Sequence, residues 1–189
     1  MRIIAGVAKG RTLGSVASST RPTSDRAREA LFSSLTSEFG DFLGLHVLDL
    51  FGGSGAIALE AFSRGASIVH VIEADSEAQK TILSNYELVL KNQPTGNFNL
   101  FAMSAQRFVS ETAKERYHVV YIDPPFDFAD SEVGVVVSKL HTEGFLKEDA
   151  IVAVERTTRG SKFSWPEGFT PVRERKYGAA TIYYGSYTP

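Results

Sequence analysis

The chain has 189 residues, 43% of them hydrophobic and 22% charged, with a net charge of −2, no cysteine and four histidines. These values describe one globular unit with a substantial core and exclude disulfides and thiolate metal sites. No apolar run approaches the roughly 18 residues of a membrane-spanning helix, so a cytoplasmic protein is expected. The charge is unevenly spread: residues 1–30 and residues 156–176 each carry six bases and two acids, +4 apiece, which leaves −10 for the rest. Charge polarised in this way predicts a basic face on an acidic body.

The opening stretch reads as a small β element, Arg2–Gly6 and Thr12–Val16 flanking the basic turn Lys9-Gly10-Arg11. A low-complexity link, residues 17–20, leads into Arg21-Pro22-Thr23-Ser24-Asp25-Arg26, where Ser24 is placed to cap a helix burying Ala27, Leu31 and Leu35. From residue 45 strands and helices alternate. Leu45–Leu50 is a strand, followed by the turn Phe51-Gly52-Gly53-Ser54-Gly55, a helix to about Arg64 and a second strand over Ser67–Ile72. Ser76 and Gln79 have capping-box spacing before a helix with Ala78, Ile82, Tyr86 and Leu90 on one face. A third strand near Phe98–Ala102, a short helix from Ser104 and a fourth strand over Tyr117–Ile122 follow. A helix near Ser131–His141, a strand over Ala150–Glu155 and a closing hairpin, Pro171–Tyr177 with Thr181–Gly185, complete the chain. The repeated units predict an α/β fold with a doubly wound, mostly parallel sheet of seven strands, its edge completed by the C-terminal antiparallel hairpin. Residues 1–23 are read as an N-terminal β-hairpin extension with a basic loop, and residues 24–189 as the main domain.

Two turns carry the chemistry. Gly52, Gly53 and Gly55 let backbone approach a ligand at a helix N-terminus, a pattern that also suits a dinucleotide. Asp49, at the strand end beside it, would repel a pyrophosphate and attract an ammonium or sulfonium. Glu73 ends the second strand, where a carboxylate can accept both hydroxyls of a ribose. A ligand with a ribose, a cationic amino-acid portion and no phosphate fits both acids, which points to S-adenosylmethionine. The second turn, Asp123-Pro124-Pro125-Phe126, follows the fourth strand. Its prolines stiffen the backbone and remove donors, so an aspartate carboxylate and a proline carbonyl can each accept one hydrogen of a substrate amino group. Phe126 is placed to stack on the attached ring. The four histidines (His46, His70, His118, His141) read as isolated structural residues, and no metal constellation is visible.

On these residues the chain resembles the class I S-adenosylmethionine-dependent methyltransferases, with their Rossmann-like sheet. Within them it is similar to the bacterial 16S rRNA guanine N2-methyltransferases of the RsmD type. The resemblance is carried by Arg2–Gly6, Lys9-Gly10-Arg11, residues 21–29, residues 49–55, Leu59-Glu60-Ala61, Ser63-Arg64-Gly65-Ala66 and residues 123–126. It implies that Asp49, Phe51, Gly53, Ser54 and Gly55 hold the methionine end of the cofactor and Glu73 its ribose. Ala74, Ser104 and Ala105 would then flank the adenine. Asp123, Pro124, Pro125 and Phe126 would hold the target guanine, position 966 of 16S rRNA, presented by a small subunit or an assembly intermediate to a monomeric enzyme. Lys9, Arg11, Arg21, Thr23 and Arg26 are the expected RNA contacts, with Arg21 and Thr23 also able to close over the cofactor. Two positions depart from the family pattern. Gly52 replaces a frequent alanine, which should loosen the turn. Ser104 replaces an acid that accepts from the adenine amino group, so that contact is not expected. Other N-methyltransferases, acting on DNA adenine or protein glutamine, could use the same acceptor loop. An NAD-dependent dehydrogenase and a noncatalytic RNA-binding domain are the remaining alternatives.

Overall fold

The computed structural model describes residues 1–16, 25–125, 127–159 and 162–188. The proposed cap Ser24, the candidate contacts Arg21 and Thr23, and Phe126 lie outside the described residues. Seven strands form one sheet: β1 (His46–Asp49), β2 (Ile68–Glu73), β3 (Asn97–Ala102), β4 (Tyr117–Ile122), β5 (Leu146–Thr157), β6 (Phe169–Tyr177) and β7 (Ala180–Tyr187). Their order is β3-β2-β1-β4-β5-β7-β6. The first five are parallel, and β7 runs antiparallel between β5 and β6. Parallel strands buried on both faces need continuous apolar sequence, which Val119-Val120-Tyr121-Ile122 and Ile151-Val152-Ala153-Val154 supply.

Among the described residues, α1 (Asp25–Phe39) precedes the sheet, and α2 (Ala56–Ser63), α3 (Ser76–Leu90), α4 (Ala105–Phe108) and α5 (Asp130–Thr142) connect its parallel strands. The expected face of α1 is buried: Ala27, Leu31 and Leu35, joined by Phe32. The cap of α3 is shifted by one residue from the sequence expectation. Asp75, not Ser76, accepts from the backbone N–H groups of Glu77 (3.0 Å) and Ala78 (2.8 Å), and its charge suits the positive helix end. Gln79 donates instead to the Glu73 carbonyl at 2.8 Å, which ties the helix entry to the end of β2.

The N-terminal extension forms an antiparallel bridge between Arg2 and Thr12 and packs on α2. Its backbone N–H groups at Ile4 and Ala5 donate to the Glu60 carboxylate at 2.7 and 2.9 Å. That carboxylate is fully buried and also paired with Arg64 Nε at 2.8 Å. Gly6 is indispensable to the docking, because a Cβ there would stand 1.8 Å from the Ser63 carbonyl oxygen. Asn85 of α3 makes the second anchor. It accepts from Gly14 N–H at 2.7 Å and donates to the carbonyls of Gly14 (3.0 Å) and Ser54 (2.9 Å). One buried amide therefore fastens the extension to the glycine turn.

Gly52 does not loosen that turn, contrary to expectation. A Cβ at this position would lie 2.4 Å from Val71 Cγ1 and 3.0 Å from Ile82 Cδ1, and both side chains are buried. Valine at 71 fills the space that an alanine methyl would need. Gly52→Ala should therefore lower stability by about 1–3 kcal/mol through overpacking. In a denaturation double-mutant cycle with Val71→Ala, a favourable coupling of about 1 kcal/mol or more is expected; a fully stable single variant would refute the packing explanation.

The histidines are not isolated. His46 Nδ1 lies 2.9 Å from Glu115 Oε1, His46 N–H donates to His118 Nδ1 at 2.9 Å, and His70 Nδ1 is 2.6 Å from the Tyr117 hydroxyl. Burial and nearby Lys147 push His118 down to about 4, so its neutral ring accepts the His46 N–H. His46 and His118 stand at the starts of β1 and β4, away from the glycine and proline turns. Among the described residues, no cluster of three or more such side chains could hold a metal ion, and no helix is long and apolar enough to cross a membrane.

Candidate active site

Carboxyl ends of β1, β2, β4 and β5 surround a cavity of about 670 Å³. Among the acids that line it, four come one from each of these strand ends: Asp49, Glu73, Asp123 and Glu155. Sheet register explains the convergence. Asp49 pairs with Val71 on one side and Tyr121 on the other, and Tyr121 pairs with Ala153. Alternation puts every second residue of a strand on the same face, so Glu73, Asp123 and Glu155 rise one step above the row that contains Asp49.

Asp49 is the deepest of the four, 1% exposed. Burial, reinforced by the neighbouring Glu73 charge, pushes its carboxyl up to about 7, against the stabilising Phe51 N–H at 3.3 Å. A carboxylate desolvated this strongly favours a cationic ligand, which would return the lost charge compensation. Glu73 is fixed by two backbone donors, Gly53 N–H to Oε2 and Asp75 N–H to Oε1, both at 2.8 Å. Gly53 and Gly55 have φ of +53° and +79°, values that favour glycine. The turn thus brings its N–H groups and the Glu73 carboxylate to one rim.

The proline turn faces it. Asp123 is half-buried, Pro124 buried and Pro125 exposed, and all three line the cavity. The Pro125 carbonyl accepts from Phe128 N–H at 3.0 Å, so this oxygen closes the turn. Arg156 of β5 clamps the segment that follows: Nε donates to Asp130 Oδ1 and Nη2 to the Phe128 carbonyl, both at 2.7 Å. Phe128 meets Phe51 edge to face, with centroids 5.3 Å apart, which sets the two turns against each other.

Of the residues expected at the site, Asp49, Phe51, Gly53, Ser54, Glu73, Asp123, Pro124 and Pro125 line this cavity. Gly55 does not; it shapes the turn from behind, packed towards Ile82 and Leu59. Ala74, Ser104 and Ala105 are also absent from the lining. Ala74 is exposed at the end of β2, while Ser104 caps α4 by accepting from Arg107 N–H at 3.3 Å and Ala105 is buried beneath it. Asp75 and Ala78 line the cavity instead. Sequence reasoning also missed Glu155, Arg156, Thr157 and Tyr177. The signal for Glu155 was present, since it ends the apolar run Ala150–Val154 as Asp49 and Glu73 end theirs. Among the expected basic contacts, Lys9 and Arg26 are exposed. Arg11 donates to Asn92 Oδ1 from Nε (3.2 Å) and Nη2 (2.8 Å). Two of the counted bases are not free surface charges: Arg28 is buried and Arg156 is held in the clamp.

Comparison with known proteins agrees with this architecture. The family model described as Conserved hypothetical protein 95 matches residues 1–186. The chain belongs to this family. Its similarity to Ribosomal RNA small subunit methyltransferase D of Escherichia coli K12 is 32% identity over 179 residues, 94% of this chain and 85% of the relative. The solved structure of yhhF from Escherichia coli superposes with a TM-score of 0.85 at 28% identity, covering 100% of this chain and 98% of that one. Magnesium protoporphyrin IX methyltransferase of Synechocystis PCC 6803 shares the fold alone, with a TM-score of 0.67 at 12% identity over 86% of this chain and 79% of that one. The sheet of this member of the Conserved hypothetical protein 95 family is thus the class I methyltransferase sheet, and the RsmD-type resemblance stands.

Proposed function

We propose that the protein transfers a methyl group from S-adenosylmethionine to the exocyclic N2 of a guanine in 16S rRNA, position 966 by resemblance, as a single chain in the cytoplasm. One observation carries the reading: Asp49 and Asp123, at the ends of adjacent parallel strands, line the same cavity. The first acid suits a cation and the second an amine. Support for the rRNA substrate comes from the relatives, among them the small-subunit rRNA methyltransferase D of Escherichia coli. Support for the cofactor comes from the fit of Asp49, Glu73 and the glycine turn, together with the fold shared with a methyltransferase solved with bound S-adenosylmethionine.

The cofactor supplies a methyl group on a sulfonium, and the chain's residues do the rest. Asp49 stabilises the cationic portion, and the Gly53–Glu73 pair holds the ribose rim. Guanine N2 is a weak nucleophile because its lone pair is delocalised into the ring, so aim and polarisation matter more than a strong base. Asp123 accepts one N2 hydrogen and the Pro124 carbonyl the other. As the N–C bond forms and the C–S pair returns to sulfur, positive charge grows on N2 and Asp123 stabilises it. One proton then leaves N2 for Asp123 or water. Arg156 holds the acceptor loop at its far end, so the amine meets fixed oxygens, as orientation catalysis requires. A stacked base cannot reach this depth and must be everted.

Labelled S-adenosylmethionine, offered with free 16S rRNA, assembled small subunits, DNA and glutamine-bearing protein, tests the substrate class. Label in rRNA is expected; label confined to DNA or protein would overturn the reading. No transfer and no cofactor binding would leave an RNA-binding domain, and binding of NAD in its place a dehydrogenase. Lys9 and Arg26 are proposed to contact phosphate. RNA affinity should fall steeply with salt, and each charge removed by Lys9→Ala or Arg26→Ala should flatten the log–log slope by about one unit. An unchanged slope in a salt titration would exclude these contacts.

A further inference from the structure

Three of the four strand-end acids have roles in the mechanism above; Glu155 has none. It is 9% exposed, lines the cavity, and has its Oε2 held by the Tyr121 hydroxyl at 2.6 Å. Tyr121 itself is buried and anchored in β4, two residues before Asp123. The β4–β5 register runs Tyr121 to Ala153 and Ile122 to Val154, so the next level holds Asp123 and Glu155. Neighbouring strands lie about 4.8 Å apart, and the two carboxylates can therefore accept from adjacent donors on one base edge.

Guanine has such an edge. Its N1–H and N2–H groups are neighbouring donors, whereas adenine, 2-aminopurine and 2,6-diaminopurine each present an unprotonated N1. An ionised carboxylate is acceptor-only, so it attracts the first and opposes the others. Resting on the guanine reading above, we propose that Glu155 is a specificity residue that accepts the N1–H of the target guanine while Asp123 accepts from N2. Tyr121 positions it: by donating to Oε2, the hydroxyl sets the carboxylate's rotation. The device selects guanine without touching the methyl group, and it rejects a base that carries the same reactive 2-amino group but a different N1.

The test uses 2-aminopurine, which keeps the 2-amino group and lacks the N1 proton. Ligated 16S rRNA carrying guanosine or 2-aminopurine at the target position is assembled with small-subunit proteins, and kcat/KM for methyl transfer is measured for wild type and Glu155→Gln. Wild type should prefer guanosine by about 100-fold or more, because a site built to accept a hydrogen bond rejects an analogue that lacks the donor. Glu155→Gln, whose amide can donate to N1, should shrink that ratio at least ~10-fold. S-adenosylmethionine affinity should stay within about threefold of wild type, since the cofactor acids are untouched. Dividing variant by wild type cancels the intrinsic reactivity difference of the two bases. An unchanged ratio in Glu155→Gln would overturn the proposal. So would equal use of both bases by wild type, a result that holds even if the variant does not fold. Failure of wild type to methylate guanosine while methylating another base or polymer would overturn the underlying guanine reading instead.

Discussion

Asp123→Ala should lower methyl transfer on the order of 10³-fold, about 4 kcal/mol, while changing cofactor affinity little, the magnitude seen when a group aimed at developing transition-state charge is removed. The separation follows from position. Asp123 is half-buried on the acceptor side of the cavity, one strand away from Asp49 and two from Glu73. The substitution removes the acceptor that aligns N2 and leaves the glycine turn and its Glu73 bond intact. Asp123→Asn should fall between the two, since its carbonyl oxygen can accept but its charge is gone. Single-turnover transfer and equilibrium binding of S-adenosylmethionine, measured on the same preparations, separate the two effects. Near-wild-type turnover in the alanine variant would remove Asp123 from the reaction.

The second large effect is a pH dependence set by Asp49. Its carboxyl is raised from 3.8 to about 7 by burial first, then by Glu73. A cationic ligand binds the ionised form, so affinity for S-adenosylmethionine should rise about tenfold from pH 6 to pH 8, the change in ionised fraction for a group that titrates near 7. Binding in that window should release a proton, detectable as a buffer-dependent heat in calorimetry. Stability of the ligand-free protein moves the other way. Because the folded state holds this proton more tightly than the unfolded state, the Asp49 contribution falls as pH rises from about 4 towards 7. Asp49→Asn keeps an acceptor for Phe51 N–H and abolishes the titration. It should weaken binding on the order of 10²-fold, about 3 kcal/mol, flatten the pH profile and raise ligand-free stability at pH 8. A variant that binds as tightly as wild type would deny Asp49 its role.

Much of this site was legible because it rests on local rules. Apolar runs that end in an acid locate Asp49, Glu73 and Asp123, and glycines at 53 and 55 mark the positive φ values that the turn adopts. Parallel alternation then forces those acids to one edge of the sheet. The sheet order itself, with β7 inserted between β5 and β6, does not follow from alternation. It depends on which edges remain to be paired after β5. Other features were opaque because their meaning lies in a distant partner. Asn85 reads as an ordinary helix residue until Gly14 and Ser54 are brought to it. Glu60 reads as a surface charge until the N-terminal backbone docks on it. Arg156 counted as part of a basic face, yet Asp130 and Phe128 claim its guanidinium. Gly52 is explained only by the volume of Val71. The adenine-side residues Ala74, Ser104 and Ala105 came from resemblance, and the cavity lining runs instead through Asp75 and Ala78 at the start of α3.

The proposed reaction requires the sulfonium methyl and a guanine amino group to meet at the edge shared by β1 and β4. The most direct test is to incubate assembled small subunits lacking the modification with deuteromethyl-labelled S-adenosylmethionine and this protein, digest the rRNA, and identify the labelled nucleoside by mass spectrometry. Label on N2-methylguanosine, lost in Asp123→Ala, is expected; label on a ring nitrogen, on adenosine or on no nucleoside at all would rule this transfer out.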